Sequence, residues 1–173
     1  MWGSVRVTNQ ALGAATDRLV QSGGTAILSE TPEIYGAEHL LTRRAVSREV
    51  GAKLIGRIHW WEEFCARNNA EMNNNPSAGN KAGGPDDSSG KVARRRHQGR
   101  HDEPGGRLRV RRTGAAKGFV FMGTPGYDPV TVTGQVAGGA NLICFTTGRG
   151  SAFGFMPTPS LKLATDTTLW NRQ

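Results

Sequence analysis

Residues 141–151 read Asn141-Leu-Ile-Cys-Phe-Thr-Thr-Gly-Arg-Gly-Ser151, a short apolar run that leads into a glycine-rich loop. The run 141–145 is typical of a buried β-strand, because it is short, apolar and bounded by turn residues. In the loop 146–151, Arg149 stands between two glycines. The backbone can therefore approach a ligand closely, and the guanidinium offers a two-pronged donor to a carboxylate or phosphate. A plain turn with a solvated arginine explains the loop equally well.

Helix-like and strand-like segments alternate along the rest of the chain. A longer helix is predicted at 47–67, with Ser47 as its cap and Val46, Val50, Leu54, Ile58, Trp61 and Cys65 as its apolar stripe. This alternation predicts an α/β fold with a mostly parallel sheet and flanking helices. The other expected helices are 11–22, a short one from Ala37 and 130–139, and the other expected strands are 25–29, 118–122 and 160–165. In the last strand, Lys162 is expected on the face opposite Leu161 and Leu163.

The positive charge is concentrated in one segment. The net charge is +8, and residues 85–113 contain nine Lys and Arg residues against four Asp and Glu residues. This segment is rich in glycine, arginine and histidine without apolar periodicity, so a basic disordered stretch is predicted to interrupt the fold. Its arginines, from Arg94 to Arg112, make nucleic-acid binding an alternative function, although no aromatic residues are interleaved with them.

The two cysteines and the N-terminus suggest a cellular location. Cys65 and Cys144 lack metal-type spacing and sit in apolar segments, so buried free thiols in a reducing cytoplasm are expected. No apolar stretch reaches the length needed to cross a bilayer, and the N-terminus lacks a signal-peptide pattern. A cytoplasmic protein with no membrane partner is therefore predicted. Trp60 and Trp61 are expected to be packing residues.

Polar loops follow three of the predicted strands, at 30–36, 123–129 and 146–151. In open α/β sheets, ligands bind beyond the carboxyl ends of the strands. If the strands are parallel, the residues that meet at one edge are Glu30, Glu33, Asp128, Thr147 and Arg149. The Asn- and Gly-rich loop 73–84 would cover them, unless it is only a flexible linker. Carboxylates beside basic side chains suit a hydroxyl-rich carboxylate substrate and a hard divalent metal.

Four runs of the sequence resemble the C-terminal part of the altronate/galactarate dehydratase family. They occur in the family's order, and the resemblance covers about residues 10–84 and 115–171, so one C-terminal α/β domain at 10–171 is expected. The runs are Leu19-Val-Gln-Ser-Gly-Gly-Thr-Ala-Ile-Leu-Ser-Glu30, His39-Leu-Leu-Thr-Arg-Arg-Ala-Val-Ser-Arg-Glu-Val-Gly51, Asn75-Pro-Ser-Ala-Gly-Asn-Lys-Ala-Gly-Gly84 and Phe145-Thr-Thr-Gly-Arg-Gly150.

The resemblance implies a hydro-lyase that converts a sugar acid such as altronate or galactarate to a 2-keto-3-deoxy acid. It also implies a divalent metal, Fe²⁺ or else Mn²⁺ or Mg²⁺. Within that chemistry, Glu30 is expected to be a base or metal ligand, Glu33 a second ligand, and Lys81 and Arg149 catalytic groups. Substrate contacts are expected from Asn75, Asn80, Thr147, Gly148 and Arg149, although each of these residues can also simply stabilise its own loop.

Two departures from the family pattern leave other interpretations open. Family chains are longer, so the partners expected here are the substrate, the N-terminal domains of the full-length enzyme and a possible second copy of the chain. An inactive fragment that lacks those domains is the alternative interpretation. Residues 85–113 also fail to match, while the match resumes at Ala116. A pair of compensating frameshifts would produce this pattern, and a genuine basic insertion is the alternative.

Overall fold

A computed structural model describes residues 2–36, 38–72, 108–111, 117–147, 150–165 and 167–172. These ranges contain helices and strands in alternation, as the sequence predicts. The helices are α1 (Trp2–Gln21), α2 (Thr31–Ile34), α3 (Glu38–Thr42), α4 (Arg48–Arg67), α5 (Asp128–Ala137) and α6 (Thr167–Trp170). The strands are β1 (Thr25–Leu28), β2 (Leu108–Arg111), β3 (Gly118–Met122), β4 (Ile143–Thr147) and β5 (Ser160–Ala164). In these ranges, no helix is both long and apolar enough to cross a membrane.

All strand pairs in the described ranges are parallel. β3 lies between β1 and β2, with Thr25 opposite Gly118 and Leu108 opposite Phe119. β4 pairs with β5 in a second sheet, with Ile143 opposite Ser160. The α/β class with parallel strands is therefore confirmed, but the described strands form two sheets. Parallel neighbours need long crossover connections, and helices supply several of these here.

The strand β2 corrects one part of the sequence analysis. Residues 108–111 fall inside the segment expected to be disordered, yet they pair with β3 along its length. The rest of the predicted disordered stretch, 85–107 and 112–113, lies outside the described residues. The sequence Leu-Arg-Val-Arg alternates apolar and charged residues, which is the two-residue period of a strand. The arginine-rich composition around it masked that signal.

The main core forms between the three-stranded sheet and helix α4. Leu54 and Ile58 of α4 are buried against Phe119 and Phe121 of β3 and Ile34 of α2, while Trp61 and Cys65 pack at the margin. The predicted apolar stripe of this helix is thus confirmed. The helix begins as expected after Ser47, whose hydroxyl accepts a hydrogen bond from the Val50 N–H at 3.4 Å.

Helix α2 is tied to α4 by a polar contact at the surface of this core. The Tyr35 hydroxyl donates a hydrogen bond to Glu62 Oε1 at 3.0 Å. Because the neutral hydroxyl is the donor in this bond, the bond raises the pKa of Tyr35, and burial raises it further. The contact lies close to the end of β1, and it helps to fix the segment that follows this strand.

Several boundaries differ from the predictions. Helix α1 begins at Trp2 rather than near Ala11, because the poor helix formers at 5–9 gave no periodic signal. Strand β4 runs from Ile143 to Thr147, so Thr146 and Thr147 belong to the strand and not to the loop. Helix α5 starts at Asp128, where a proline in the first turn suits a helix start.

Two side-chain expectations were wrong. Cys144 is exposed, because its strand buries the neighbouring Ile143 on the opposite face. Trp60 is 42% exposed and stacks on Phe64 at the surface of α4. In β5, by contrast, Lys162 lies on the face opposite Leu161, as the alternation predicts: Leu161 is half exposed, and the Lys162 Nζ is 5.4 Å from the centre of the Phe145 ring.

Two buried threonines, Thr31 in α2 and Thr131 in α5, are expected to change the free energy of unfolding in opposite directions when they are replaced by valine. Within the described residues, the fully buried Thr31 hydroxyl has no hydrogen-bond partner. The Thr131 hydroxyl, also buried, donates to the Pro125 carbonyl at 2.5 Å. Thr31→Val is expected to raise the free energy of unfolding by about 1 kcal/mol, and Thr131→Val to lower it by about 1–2 kcal/mol. Urea denaturation measures both changes, and a loss of stability in Thr31→Val would contradict the assignment.

Candidate functional site

The carboxyl ends of β1 and β3 are joined by main-chain and side-chain hydrogen bonds. The Glu30 N–H donates to Thr124 Oγ1 at 2.9 Å, and the Thr31 N–H donates to the Thr124 carbonyl at 2.9 Å. Both bonds cross from the residues that follow β1 to the loop that follows β3. Because the two strands are parallel, their polar loops leave the sheet at the same edge, as predicted.

Glu30 has an unusual backbone conformation. Its φ is 70° and its ψ is 82°, which lie in the left-handed region. Among the described residues, Glu30 and Asn69 are the two non-glycine residues that have a positive φ. A non-glycine residue in such a region costs on the order of 1–3 kcal/mol and persists only where its surroundings hold it. Its carbonyl also accepts a hydrogen bond from the Glu33 N–H at 2.9 Å. Such strain concentrates at ligand-binding and active sites, so it supports a functional role for this position.

A cavity of about 330 Å³ lies beside β1 and reaches Glu30. Residues 26–30 and residues 143–146 of β4 are among those that line it. The remaining lining residues come from helices α1 and α5: Leu12, Gly13, Thr16, Asp128, Thr131, Val132 and Gln135, together with Phe119 of β3. Two of the three acidic residues predicted at this edge, Glu30 and Asp128, thus line one partly open cavity of a size that suits a small molecule.

The cavity runs along the edges of two strands. Successive residues of a strand point to opposite faces, so a space lined by consecutive residues lies against the backbone edge. This is the case for residues 26–28 of β1 and 143–146 of β4. Within the described ranges, β1 pairs on its other side with β3, and β4 with β5. Backbone N–H and C=O groups are therefore available to a polar ligand with many hydroxyl groups.

Helix α5 supplies polar groups to the other wall. Asp128 is in its first turn, where a negative charge is favoured by the helix dipole. One turn further on, the Thr131 hydroxyl holds the preceding loop through its bond to the Pro125 carbonyl. Gln135 Nε2 donates a hydrogen bond to the Ser29 hydroxyl at 2.5 Å, across 106 positions of the chain. The helix and the end of β1 are thus fixed to each other across the cavity.

The loop after β4 is held at both of its ends. The Thr147 carbonyl accepts hydrogen bonds from the Thr165 N–H at 3.0 Å and the Thr165 hydroxyl at 3.2 Å. Thr147 Oγ1 accepts the Gly150 N–H at 3.1 Å, and Lys162 Nζ donates to the Ser151 carbonyl at 2.5 Å. Gly150 has a φ of 95°, which favours glycine at this turn. These bonds fix both ends of the predicted substrate loop.

The predicted site residues fall into three groups. Glu30 and Asp128 line the cavity, as expected for residues at one sheet edge. Glu33 is half buried in helix α2, and Thr147 ends β4; neither is among the residues that line the cavity. Five predicted residues lie outside the described ranges, so their predicted roles stay predictions: Asn75, Asn80, Lys81, Gly148 and Arg149.

A divalent metal is expected from the sequence, and the described side chains that could bind it can now be compared with that expectation. Within the described ranges, no group of three or more His, Cys, Asp or Glu side chains comes together in a metal-binding arrangement. Glu30 and Asp128 provide carboxylate oxygens on one cavity. Hard divalent cations such as Mg²⁺ are often held by one or two carboxylates together with oxygens of the substrate. The described donors fit a cation of that kind and not a closed all-protein site.

The sequence analysis missed three residues that shape the site, namely Thr124, Gln135 and Lys162. Each acts through a bond to a residue distant in the chain or to a main-chain group. No local pattern marks such partners, because the bonds arise only when the parallel strands are assembled. Thr124 belongs to a segment that was predicted only as a loop, and Gln135 to one that was predicted only as a helix.

Comparison with known proteins gives a consistent result. The family model described as "D-galactarate/Altronate dehydratase, C-terminal" matches residues 4–173. The chain is 38% identical over 170 residues to galactarate dehydratase (L-threo-forming) of Escherichia coli (strain K12), covering 95% of this chain and 31% of that protein.

Two further relatives are altronate dehydratases. That of Bacillus subtilis (strain 168) is 34% identical, over 94% of this chain and 32% of its own length. That of Escherichia coli (strain K12) is 30% identical, over 93% of this chain and 32% of its own length. The chain thus spans about a third of the length of the curated relatives that it matches.

Proposed function

Because the chain belongs to the D-galactarate/altronate dehydratase family, to its C-terminal part, we propose that it takes part in the dehydration of a sugar acid. The single observation that carries this proposal is the position of Glu30, in a left-handed conformation among the residues that line the cavity. Relatives named for galactarate and altronate support a substrate of that class.

Dehydration of a sugar acid requires two groups to leave neighbouring carbons. A base removes the proton next to the carboxylate, and the hydroxyl group on the next carbon departs with a proton as water. The resulting enol then becomes a 2-keto-3-deoxy acid. We propose Glu30 as the base, because it is half buried and lines the cavity. Asp128 faces the same cavity from helix α5 and is the candidate acid for the departing hydroxyl.

Substrate recognition is proposed to combine the cavity with the loops around it. Arg149 would bind the substrate carboxylate, with the support of Thr147 and Gly148. Asn75, Asn80 and Lys81 would contact hydroxyl or carboxylate groups, and Lys81 would also assist catalysis. The anchored ends of the loop, at Thr147 and Ser151, support this role, since a fixed loop loses less entropy when it binds.

We also propose a divalent cation, Fe²⁺ or else Mn²⁺ or Mg²⁺, with Glu33 as a protein ligand and with Glu30 as the other ligand in the alternative in which Glu30 is not the base. Such an ion would stabilise the negative charge that develops on the substrate carboxylate during proton removal. Glu30 can present its carboxylate in the cavity, and Glu33 lies in the first turn of α2, three residues further on. Asp128 is the other carboxylate available to the same space.

The activity of the whole enzyme is proposed to need more than this chain. Its relatives are about three times as long, so the remaining domains are the proposed partners. A second copy of the chain is the other proposed partner. The alternative is a chain that folds but does not catalyse the reaction without those domains.

The test is a direct assay of the reaction. The purified chain is incubated with galactarate or altronate, anaerobically with added Fe²⁺ and separately with a chelator. The 2-keto acid released is trapped and measured by its absorbance. A second series adds a polypeptide that corresponds to the remaining part of the galactarate dehydratase relative. Product formation that depends on the chain and disappears with the chelator is the expected result. Absence of product in both series, with both acids, would refute the proposed function.

A further inference from the structure

We propose that Thr124 is a positioning residue, which holds Glu30 in its left-handed conformation and so directs the Glu30 carboxylate toward the substrate. The inference rests on the proposed function of Glu30, but it concerns a different residue. Thr124 follows β3, is 5% exposed and is not among the residues that line the cavity. Its effect on catalysis must therefore pass through the residues that it holds.

Thr124 accepts two hydrogen bonds from the segment that follows β1. Its hydroxyl accepts the Glu30 N–H and its carbonyl accepts the Thr31 N–H, each at 2.9 Å. These two donors belong to the peptide groups on either side of the Glu30 α-carbon. Together with the bond from the Glu33 N–H to the Glu30 carbonyl, they restrict both backbone angles of Glu30. A carbonyl acceptor is available from any residue at position 124, whereas a side-chain acceptor is not.

The Thr124 side chain is itself held by helix α5. A Cβ atom placed on Gly134 would lie 3.6 Å from Thr124 Cγ2, so the methyl group packs over this glycine. A β-branched side chain has few accessible rotamers, and packing on one side fixes the direction of the hydroxyl on the other. The same helix carries Asp128 and Gln135, which line the cavity. Thr124 thus fixes Glu30 relative to the opposite wall of the site.

Comparing the parent with Thr124→Val and Thr124→Ser separates the effect of the hydroxyl group from the effect of the methyl group. Thr124→Val keeps the shape but removes the acceptor for the Glu30 N–H. Thr124→Ser keeps the acceptor and removes the methyl contact with Gly134. Thr133→Val is the control for the loss of a threonine hydroxyl elsewhere, because the exposed Thr133 hydroxyl donates a hydrogen bond to the Pro129 carbonyl at 2.7 Å and Thr133 does not line the cavity.

The first measurement does not require turnover. In hydrogen exchange followed residue by residue by NMR, Thr124→Val is expected to accelerate exchange at the Glu30 amide about tenfold or more. Thr124→Ser and Thr133→Val should leave that amide within about threefold of the parent. Equal exchange at Glu30 in the parent and Thr124→Val would overturn the proposal, whether or not the chain is a dehydratase.

The second measurement links this position to catalysis. In the assay with the complete set of domains, Thr124→Val is expected to lower kcat about 10- to 100-fold with KM changed less than threefold. Thr124→Ser is expected to restore kcat to within about threefold of the parent. A fall in melting temperature without a change in kcat would assign Thr124 a purely structural role and overturn the positioning role. If the parent has no activity while the exchange result is positive, the proposed function fails and the contact between Thr124 and Glu30 stands.

Discussion

Replacing Glu30 with glutamine is expected to lower kcat for sugar-acid dehydration by about 10²- to 10⁴-fold, the range that general acid–base groups contribute. Glutamine has the same shape but cannot accept a proton, and it is a poor ligand for a hard cation. The backbone bonds of Glu30 to Thr124 and Glu33 do not involve the side chain. The melting temperature should therefore change little, and the loss should be in catalysis rather than in folding.

Two further substitutions make this experiment specific. Glu63→Gln removes a carboxylate from the exposed face of α4 and is expected to leave kcat within about twofold of the parent. Glu33→Gln tests the proposed second metal ligand, and a higher metal concentration for half-maximal activity is expected. If Glu30→Gln retains more than a tenth of the parent kcat with the metal bound, Glu30 is not the base.

Replacing Phe121 with alanine is expected to lower the free energy of unfolding by about 3–5 kcal/mol. Phe121 is fully buried in β3, the strand that pairs on both sides in its sheet, and it belongs to the main core. Net stabilities of domains are only about 5–15 kcal/mol, so this loss removes a large share of the total. For a chain of this length, the corresponding fall in melting temperature is about 10 °C.

Urea denaturation and thermal unfolding by circular dichroism measure this change. Met156→Ala is the control, since Met156 is fully exposed and its loss should change stability by no more than about 0.5 kcal/mol. If Phe121→Ala costs less than about 1 kcal/mol, the three-stranded sheet is not the main source of stability in this chain. The two substitutions together therefore test the position of the core.

The elements with strong periodicity were predictable from the sequence. Helix α4 and strand β3 were placed within a residue of their observed bounds. In α4 the apolar residues recur with the helical period, and Leu54 and Ile58 on that stripe are buried. Strand β3 is instead a short continuous apolar run, typical of a strand buried on both faces, and Phe119 to Met122 are all buried. The convergence of Glu30 and Asp128 on one cavity was also predicted, because parallel strands end at the same sheet edge.

Features that depend on tertiary contacts were not predictable. Strand β2 was missed because its four residues lie in a basic, glycine-rich context, and their pairing with β3 overrides that composition. The inward position of Lys162 follows from its bond to the Ser151 carbonyl and its contact with the Phe145 ring. A period-two pattern gives the two faces of a strand but not which face is buried. The left-handed backbone of Glu30 likewise has no signature in the sequence.

The pairing of β1 with β3 has a consequence for the tolerance of this fold to insertions. The hydrogen bond between Glu30 and Thr124 joins residues 94 positions apart, so assembling the sheet and the site closes a long loop. The entropy of loop closure rises only with the logarithm of loop length, and each doubling costs about 0.6 kcal/mol. Lengthening the chain between Met72 and Leu108 should therefore add little to the entropic cost of closing this loop. The rate of folding is the more sensitive quantity, since it falls as contacts become more distant in sequence.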